Sequence, residues 1–257
     1  MFNYSPRALG ALAWVSALVL SGSAAAPANA YDLKPIVIQL ASSGPGAAQT
    51  AVITNTHTVP IAIEVTAFKR KQNPDGTDTL TRDDENVIIS PPQMVIPPKS
   101  SQSFRIQWVG DANPSTELAY RVVTEQLPIQ FKKETRNNLT ADLTMRYRYE
   151  AALYILPKDR KSQATLTSVS TVKGADGTDQ LELRIRSEGN SRAILDKPVV
   201  ELSVDGRSFR LEGAAVKQLS GLNILPGSER VVRIAMPAEM KGRTVTGKLL
   251  SQYLILN

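Results

Sequence analysis

The chain has 257 residues, of which 42% are hydrophobic, 21% charged and only 5% aromatic, with one histidine and no cysteine. That length admits one large or two ordinary domains with real cores. The missing cysteine excludes thiol catalysis, disulfides and zinc–thiolate sites, and the lone His57 cannot build a multi-histidine metal cluster. The formal charge of +6 is unevenly placed: residues 31–157 carry 13 basic and 13 acidic residues, residues 158–257 carry 16 and 11. Long Lys/Arg runs and interleaved aromatics are absent, so the basicity points to a solvated face or an acidic protein partner and not to nucleic acid.

Residues 1–30 read as a secretory signal peptide. Arg7 precedes an apolar run from Ala8 to Leu20, too short to span a bilayer comfortably. Small residues follow and end in Ala28-Asn29-Ala30, which places cleavage after Ala30 and leaves an exported, periplasmic chain without a membrane insertion. Without cysteine, that chain must be stabilised by packing alone.

From there on, helical periodicity is nearly absent. Short runs rich in β-branched residues alternate with Gly, Pro, Asn and Asp clusters, the pattern of an all-β sandwich. Strands are predicted over residues 35–40, 49–55, 61–69, 87–90, 101–108, 120–127 and 139–156, with a turn at Asn73-Pro74-Asp75-Gly76. The polar, proline-led stretch Pro157-Lys158-Asp159-Arg160-Lys161-Ser162 marks a domain boundary. Beyond it, strands are predicted over 164–173, 180–187, 199–204, 207–212, 230–236 and 245–254, with turns at Ala175-Asp176-Gly177 and Asp205-Gly206. A weak echo links Ile96-Pro97-Pro98-Lys99, leading to Phe104-Arg105-Ile106, with Leu225-Pro226-Gly227-Ser228, leading to Val232-Arg233-Ile234. The expected architecture is all-β, two sandwich domains in tandem over residues 31–157 and 158–257.

The segment 139–156 is the most informative. Its odd positions read Leu139, Ala141, Leu143, Met145, Tyr147, Tyr149, Ala151, Leu153 and Ile155, and its even positions begin with Thr140, Asp142, Thr144, Arg146, Arg148 and Glu150. That period of two belongs to a strand. Unbroken, it would be on the order of 50 Å long, against about 17–20 Å for a usual strand. From Ala151 both faces turn apolar, as at a buried domain junction. Two readings fit: a strand bent by a bulge with every apolar side chain facing its own core, or an overhanging edge that pairs with a partner's sheet.

Several motifs resemble the periplasmic chaperones of the chaperone–usher pilus pathway, the PapD-like family. They are Asn55, Ile61-Ala62-Ile63-Glu64-Val65, Ser90-Pro91-Pro92, Ile96-Pro97-Pro98 and Phe104-Arg105-Ile106. The stretch from Glu117 to Pro128 is similar to the family signature, and Leu153-Tyr154-Ile155-Leu156-Pro157 lies where the family has its donor strand and linker. Met145-Arg146-Tyr147, together with Tyr120-Arg121-Val122-Val123 and Leu127-Pro128-Ile129, looks more like the archaic branch. The likeness covers roughly residues 50–157. It implies two immunoglobulin-like sandwiches set in a boomerang, no catalysis and no cofactor. It also implies donor-strand complementation of pilus or fimbrial subunits and their delivery to an outer-membrane usher. Leu143, Met145 and Tyr147 would be donor side chains, with Leu139 and Ala141 as outer candidates. A client-free strand of this kind also offers self-association.

In other branches a donor-strand lysine and a first-strand arginine bind the subunit's carboxylate. The corresponding lysine position here is Ala152 and the linker arginine position is Leu156. Arg105, Arg146, Arg148 and Lys34 are the available anchors, although Arg105 could instead form a structural ion pair with Glu117. A pilin reading is disfavoured by the mid-chain position of the long strand. An envelope enzyme or carbohydrate-binding sandwich is disfavoured by the low aromatic content. His57 reads as a turn residue, and Asp83-Asp84-Glu85 lacks the spacing and glycine of a calcium loop.

Overall fold

The computed structural model describes residues 31–129 and 146–256. Ten strands form the first domain: β1 (Asp32–Lys34), β2 (Val37–Ala41), β3 (Ala48–Thr54), β4 (Ile61–Gln72), β5 (Asp78–Arg82), β6 (Val87–Ser90), β7 (Gln93–Ile96), β8 (Ser101–Trp108), β9 (Leu118–Gln126) and β10 (Arg148–Leu156). They build two sheets. One has the order β1-β3-β8-β6; the other runs β2-β10-β9-β4-β5, with β7 also on β4. All these pairs are antiparallel except β2 with β10.

Alternation decides which side chains fill the space between the sheets. In β8, Phe104, Ile106 and Trp108 are buried while Ser103, Arg105 and Gln107 are exposed. In β10, Ala151, Leu153 and Ile155 point into the same core, together with Leu33, Ile38, Leu40, Ile53, Ile63 and Val122. Each fully buried Leu or Ile there contributes roughly 1.5–3 kcal/mol. The chain changes sheets between β1 and β2, so the N-terminal segment closes the sandwich on both faces.

Seven strands follow: β11 (Ala164–Lys173), β12 (Asp179–Ser187), β13 (Ala193–Val204), β14 (Arg207–Leu211), β15 (Asn223–Ile224), β16 (Glu229–Ala235) and β17 (Val245–Tyr253). One sheet runs β11-β12-β16; in the other, β13 pairs with β14, β15 and β17. Leu181, Leu183, Ile185, Leu195, Leu202 and Ile234 fill a second, separate core. Both proline turns of the sequence echo carry the chain from one sheet to the other, from β7 to β8 and from β15 to β16.

Four strands run beyond expectation: β1, β5, β7 and β15. They are short, and β5 is polar and lies at the edge of its sheet, so none shows a hydrophobic period long enough to read. β4 extends to Gln72, whose polar side chain is buried against the second domain: it donates to the Asn223 carbonyl at 3.0 Å and accepts from the Leu225 amide at 3.0 Å.

Candidate functional site

β10 is the strand on which the sequence alternation falls, and its two neighbours cover it unequally. β9 pairs with it from Arg148 to Ile155, whereas β2 pairs only from Ala152 to Leu156. The Gln126 amide donates to the Tyr147 carbonyl at 3.0 Å, and the Ala152 amide donates to the Ile36 carbonyl at 2.9 Å. Odd residues of β10 therefore direct their backbone groups to β9 and even residues direct theirs to the β2 side. At Arg148 and Glu150 no strand among the described residues occupies that side. This is an open sheet edge, blunted by charge: Arg148 lies 2.9 Å from Glu150 and 3.8 Å from Glu125.

Below the open edge, the even residues Ala152, Tyr154 and Leu156 meet Ala119 and Leu225 in a small cluster between the domains. The two-faced apolar stretch from Ala151 onward is thus buried at the domain junction, as its composition implies. Above it, Tyr147 and Tyr149 pack against the first core. Tyr31 is 1% exposed, and its ring centroid lies 4.7 Å from that of Tyr149. Its hydroxyl donates to the Thr124 carbonyl and shares a hydrogen bond with Thr124 Oγ1, both at 2.8 Å. Burial pushes the Tyr31 phenol up to about 12, against the smaller lowering by Thr124.

The expected donor residues Leu139, Ala141, Leu143 and Met145 lie outside the described residues. Tyr147, the remaining one, is half-buried on the first core with its ring 5.8 Å from that of His57. The four expected anchors divide between the two sheets. Lys34, on β1, is exposed and pairs with Asp32 at 2.9 Å. Arg105, on the outer face of the same four-stranded sheet, makes no ion pair among the described residues. Arg146 is exposed just ahead of β10, and Arg148 opens that strand.

The alternative pairing of Arg105 with Glu117 is corrected: Arg192 of the second domain takes Glu117, at 2.8 Å. Arg192 also donates to Gln39 Oε1 at 2.9 Å and lies 3.8 Å above the Tyr154 ring. Burial holds the Glu117 carboxyl above its usual range while Arg192 pulls it down. A second charged group lies on the β4–β9 sheet, where Asp78 binds Arg70 at 2.8 Å and Arg121 at 3.0 Å. Arg121 stands in register with Ala152, so a cation is present one strand away from the position that lacks one. Only the tertiary pairing of distant strands assembles these groups, and no local spacing announces them.

His57 sits in a turn capped by Asn55, whose Oδ1 accepts from the His57 amide at 2.8 Å. Asp83 caps its own turn through the Asn86 amide at 2.9 Å and accepts from the Tyr120 hydroxyl at 3.1 Å. Among the described residues, no group of three or more His, Asp or Glu is placed to hold a metal ion.

Residues 34–161 match the family model described as pili and flagellar-assembly chaperone, PapD N-terminal domain. The chain belongs to the PapD-like family of pilus-assembly chaperones. The match spans β10 and its open edge, so the strand singled out by alternation lies within the PapD-like domain. Solved structures of similar fold include the class 5 fimbriae chaperone CfaA, with 16% identity over 85% of this chain and 98% of that one and a TM-score of 0.52. Another is the CsuC–CsuE chaperone–tip adhesion subunit pre-assembly complex from archaic chaperone–usher Csu pili of Acinetobacter baumannii, with 14% identity over 85% and 97% and a TM-score of 0.55. A chaperone–tip adhesin complex of CFA/I fimbriae biogenesis is similar at 17% identity over 79% and 87%, with a TM-score of 0.52. No curated protein matches the sequence. The PapD-like fold of two β-sandwich domains is therefore the architecture of this chain.

Proposed function

We propose that this pilus-assembly chaperone acts in the periplasm by lending a strand to pilus subunits that lack one and delivering them to an outer-membrane usher. The segment 139–147, continuous with β10, is the lent strand, and Leu139, Ala141, Leu143, Met145 and Tyr147 are its donor side chains. Residues 31–157 form the subunit-binding domain and residues 158–257 its C-terminal companion, after removal of residues 1–30. A basic residue among Lys34, Arg105, Arg146 and Arg148 anchors the subunit's terminal carboxylate. We assign the chain to the archaic branch on its Met145-Arg146-Tyr147 segment, and to no catalytic chemistry.

The observation that carries this reading is the edge of β10 at Arg148 and Glu150, unpaired among the described residues on its β2 side, which the alternating sequence 139–147 precedes. An edge of that kind supplies backbone hydrogen bonds to an added strand, while alternate side chains fill the partner's pockets. The test is co-purification from the periplasm with Leu143→Glu and Met145→Glu combined. The expected result is loss of a small subunit from the eluate with an unchanged melting temperature. Full recovery of the subunit with both substitutions would overturn the donor-strand assignment.

A further inference from the structure

We propose that Tyr31 is a positioning residue: its buried phenol holds Tyr147 and the Arg148 end of β10 against β9. This rests on the donor-strand reading above. Tyr31 precedes β1, which belongs to the four-stranded sheet, yet its hydroxyl reaches β9 of the opposite sheet. There it binds both the carbonyl and the hydroxyl of Thr124, a residue with no exposure at all. The same oxygen lies 3.5 Å from the Tyr147 carbonyl, which also accepts the Gln126 amide in the β9–β10 ladder. Thr124 is in register with Tyr149, whose ring packs on Tyr31. One side chain thus touches β9, the residue just before β10 and β10 itself.

Packing alone does not require this hydroxyl, since phenylalanine would fill nearly the same volume. What phenylalanine cannot do is satisfy Thr124 Oγ1, on a residue closed to solvent. Tyr31→Phe therefore releases the clamp while keeping the ring, and β10 frays from its Arg148 end. A frayed Arg148 end loosens the part of β10 that the donor-strand reading offers to a subunit, because register in an edge strand is held by its neighbours.

Tyr120→Phe is the matched comparison. The Tyr120 hydroxyl is also an internal donor, 3.1 Å from Asp83 Oδ2, and the residue is 2% exposed, but it serves the turn ahead of β6. The first measurement uses the free protein and needs no client: hydrogen exchange of the Gln126 amide. Tyr31→Phe is expected to speed it roughly three- to tenfold and Tyr120→Phe to leave it unchanged, the range set by one net hydrogen bond. The second is the dissociation rate of the small subunit that co-purifies with the wild-type chain, expected to rise by a similar factor in Tyr31→Phe alone. Unchanged Gln126 exchange, equal effects in both variants, or faster exchange without faster subunit release would each overturn the proposal. If the wild-type chain retains no subunit, the donor-strand reading falls and this assignment of Tyr31 falls with it, whatever the exchange data give.

Discussion

Burial keeps the Tyr31 phenol protonated far into the alkaline range, and the sign of its contribution to stability follows from that. Below pH 10 the phenol is neutral in folded and unfolded chains alike, and its stabilising contribution is complete. Between pH 10 and about 12 the unfolded chain releases the proton and the folded one holds it, so stability falls with rising pH. The loss is at most roughly 2–3 kcal/mol. Denaturant melts at pH 8 and pH 11 check this: Tyr31→Phe should lose measurably less stability between the two than the wild-type chain. Equal losses would mean that Tyr31 titrates as it does in the unfolded chain. Asn55 shows the same economy of polar groups at the neighbouring turn. Its fully buried amide nitrogen donates to the carbonyls of Val59, Ile96 and Pro97 at 2.9–3.0 Å and its oxygen accepts from the His57 amide, so both polar atoms of the side chain have partners.

At the scale of the element, β10 combines an anchored half and an exposed half. Among the described residues, Ala152–Ile155 have strands on both sides, whereas Arg148–Ala151 have β9 only. The charges of Arg148 and Glu150 stand where a second copy would have to pair. Both side chains are largely solvent-facing, so replacing them with valine should change folding stability by less than about 1 kcal/mol. It should nonetheless convert the free protein into dimers or larger species, read by sedimentation velocity; a variant that stays monomeric would show that charge does not guard the edge. The alternation of β8 was legible because Phe104, Ile106 and Trp108 recur at every second position between polar residues, and that of the segment leading into β10 because it holds up to Glu150, before both faces turn apolar. β1, β5, β7 and β15 were not, being too short or too polar to set a period. The Glu117–Arg192 pair was beyond sequence reasoning for another reason. It joins residues of different domains, and Glu117 had a nearer candidate in Arg105 that the fold faces outward.

Over the whole molecule, the two cores communicate through few but buried contacts. Arg192 alone binds Glu117, Gln39 and the Tyr154 ring, while Gln72 and the Pro74 carbonyl hold the backbone of the second domain at Leu225 and Val231. Removing one member of a buried ion pair leaves the other charge stranded, at a cost of about 3–5 kcal/mol. Arg192→Ala is therefore expected to uncouple the domains, giving two calorimetric transitions and a larger radius of gyration by small-angle scattering. Adding Glu117→Leu to an Arg192→Met variant should restore a single transition, because no unpaired charge remains. A single unshifted transition in Arg192→Ala would place the coupling in the Gln72 contacts instead.

The parallel pairing of β2 with β10 joins the two ends of the first domain's sequence. Val37 must find Ala152, and Leu40 must find Ile155, across nearly the whole length of the first domain. Contacts so distant along the chain form slowly, since loop closure must precede any gain from packing. The six-stranded sheet thus stays incomplete until its last strand has arrived, whatever β3, β4 and β8 have already built. β10 has β9 as a much nearer partner along the chain, so it is the pairing with β2, the far-reaching one, that closes the sheet last.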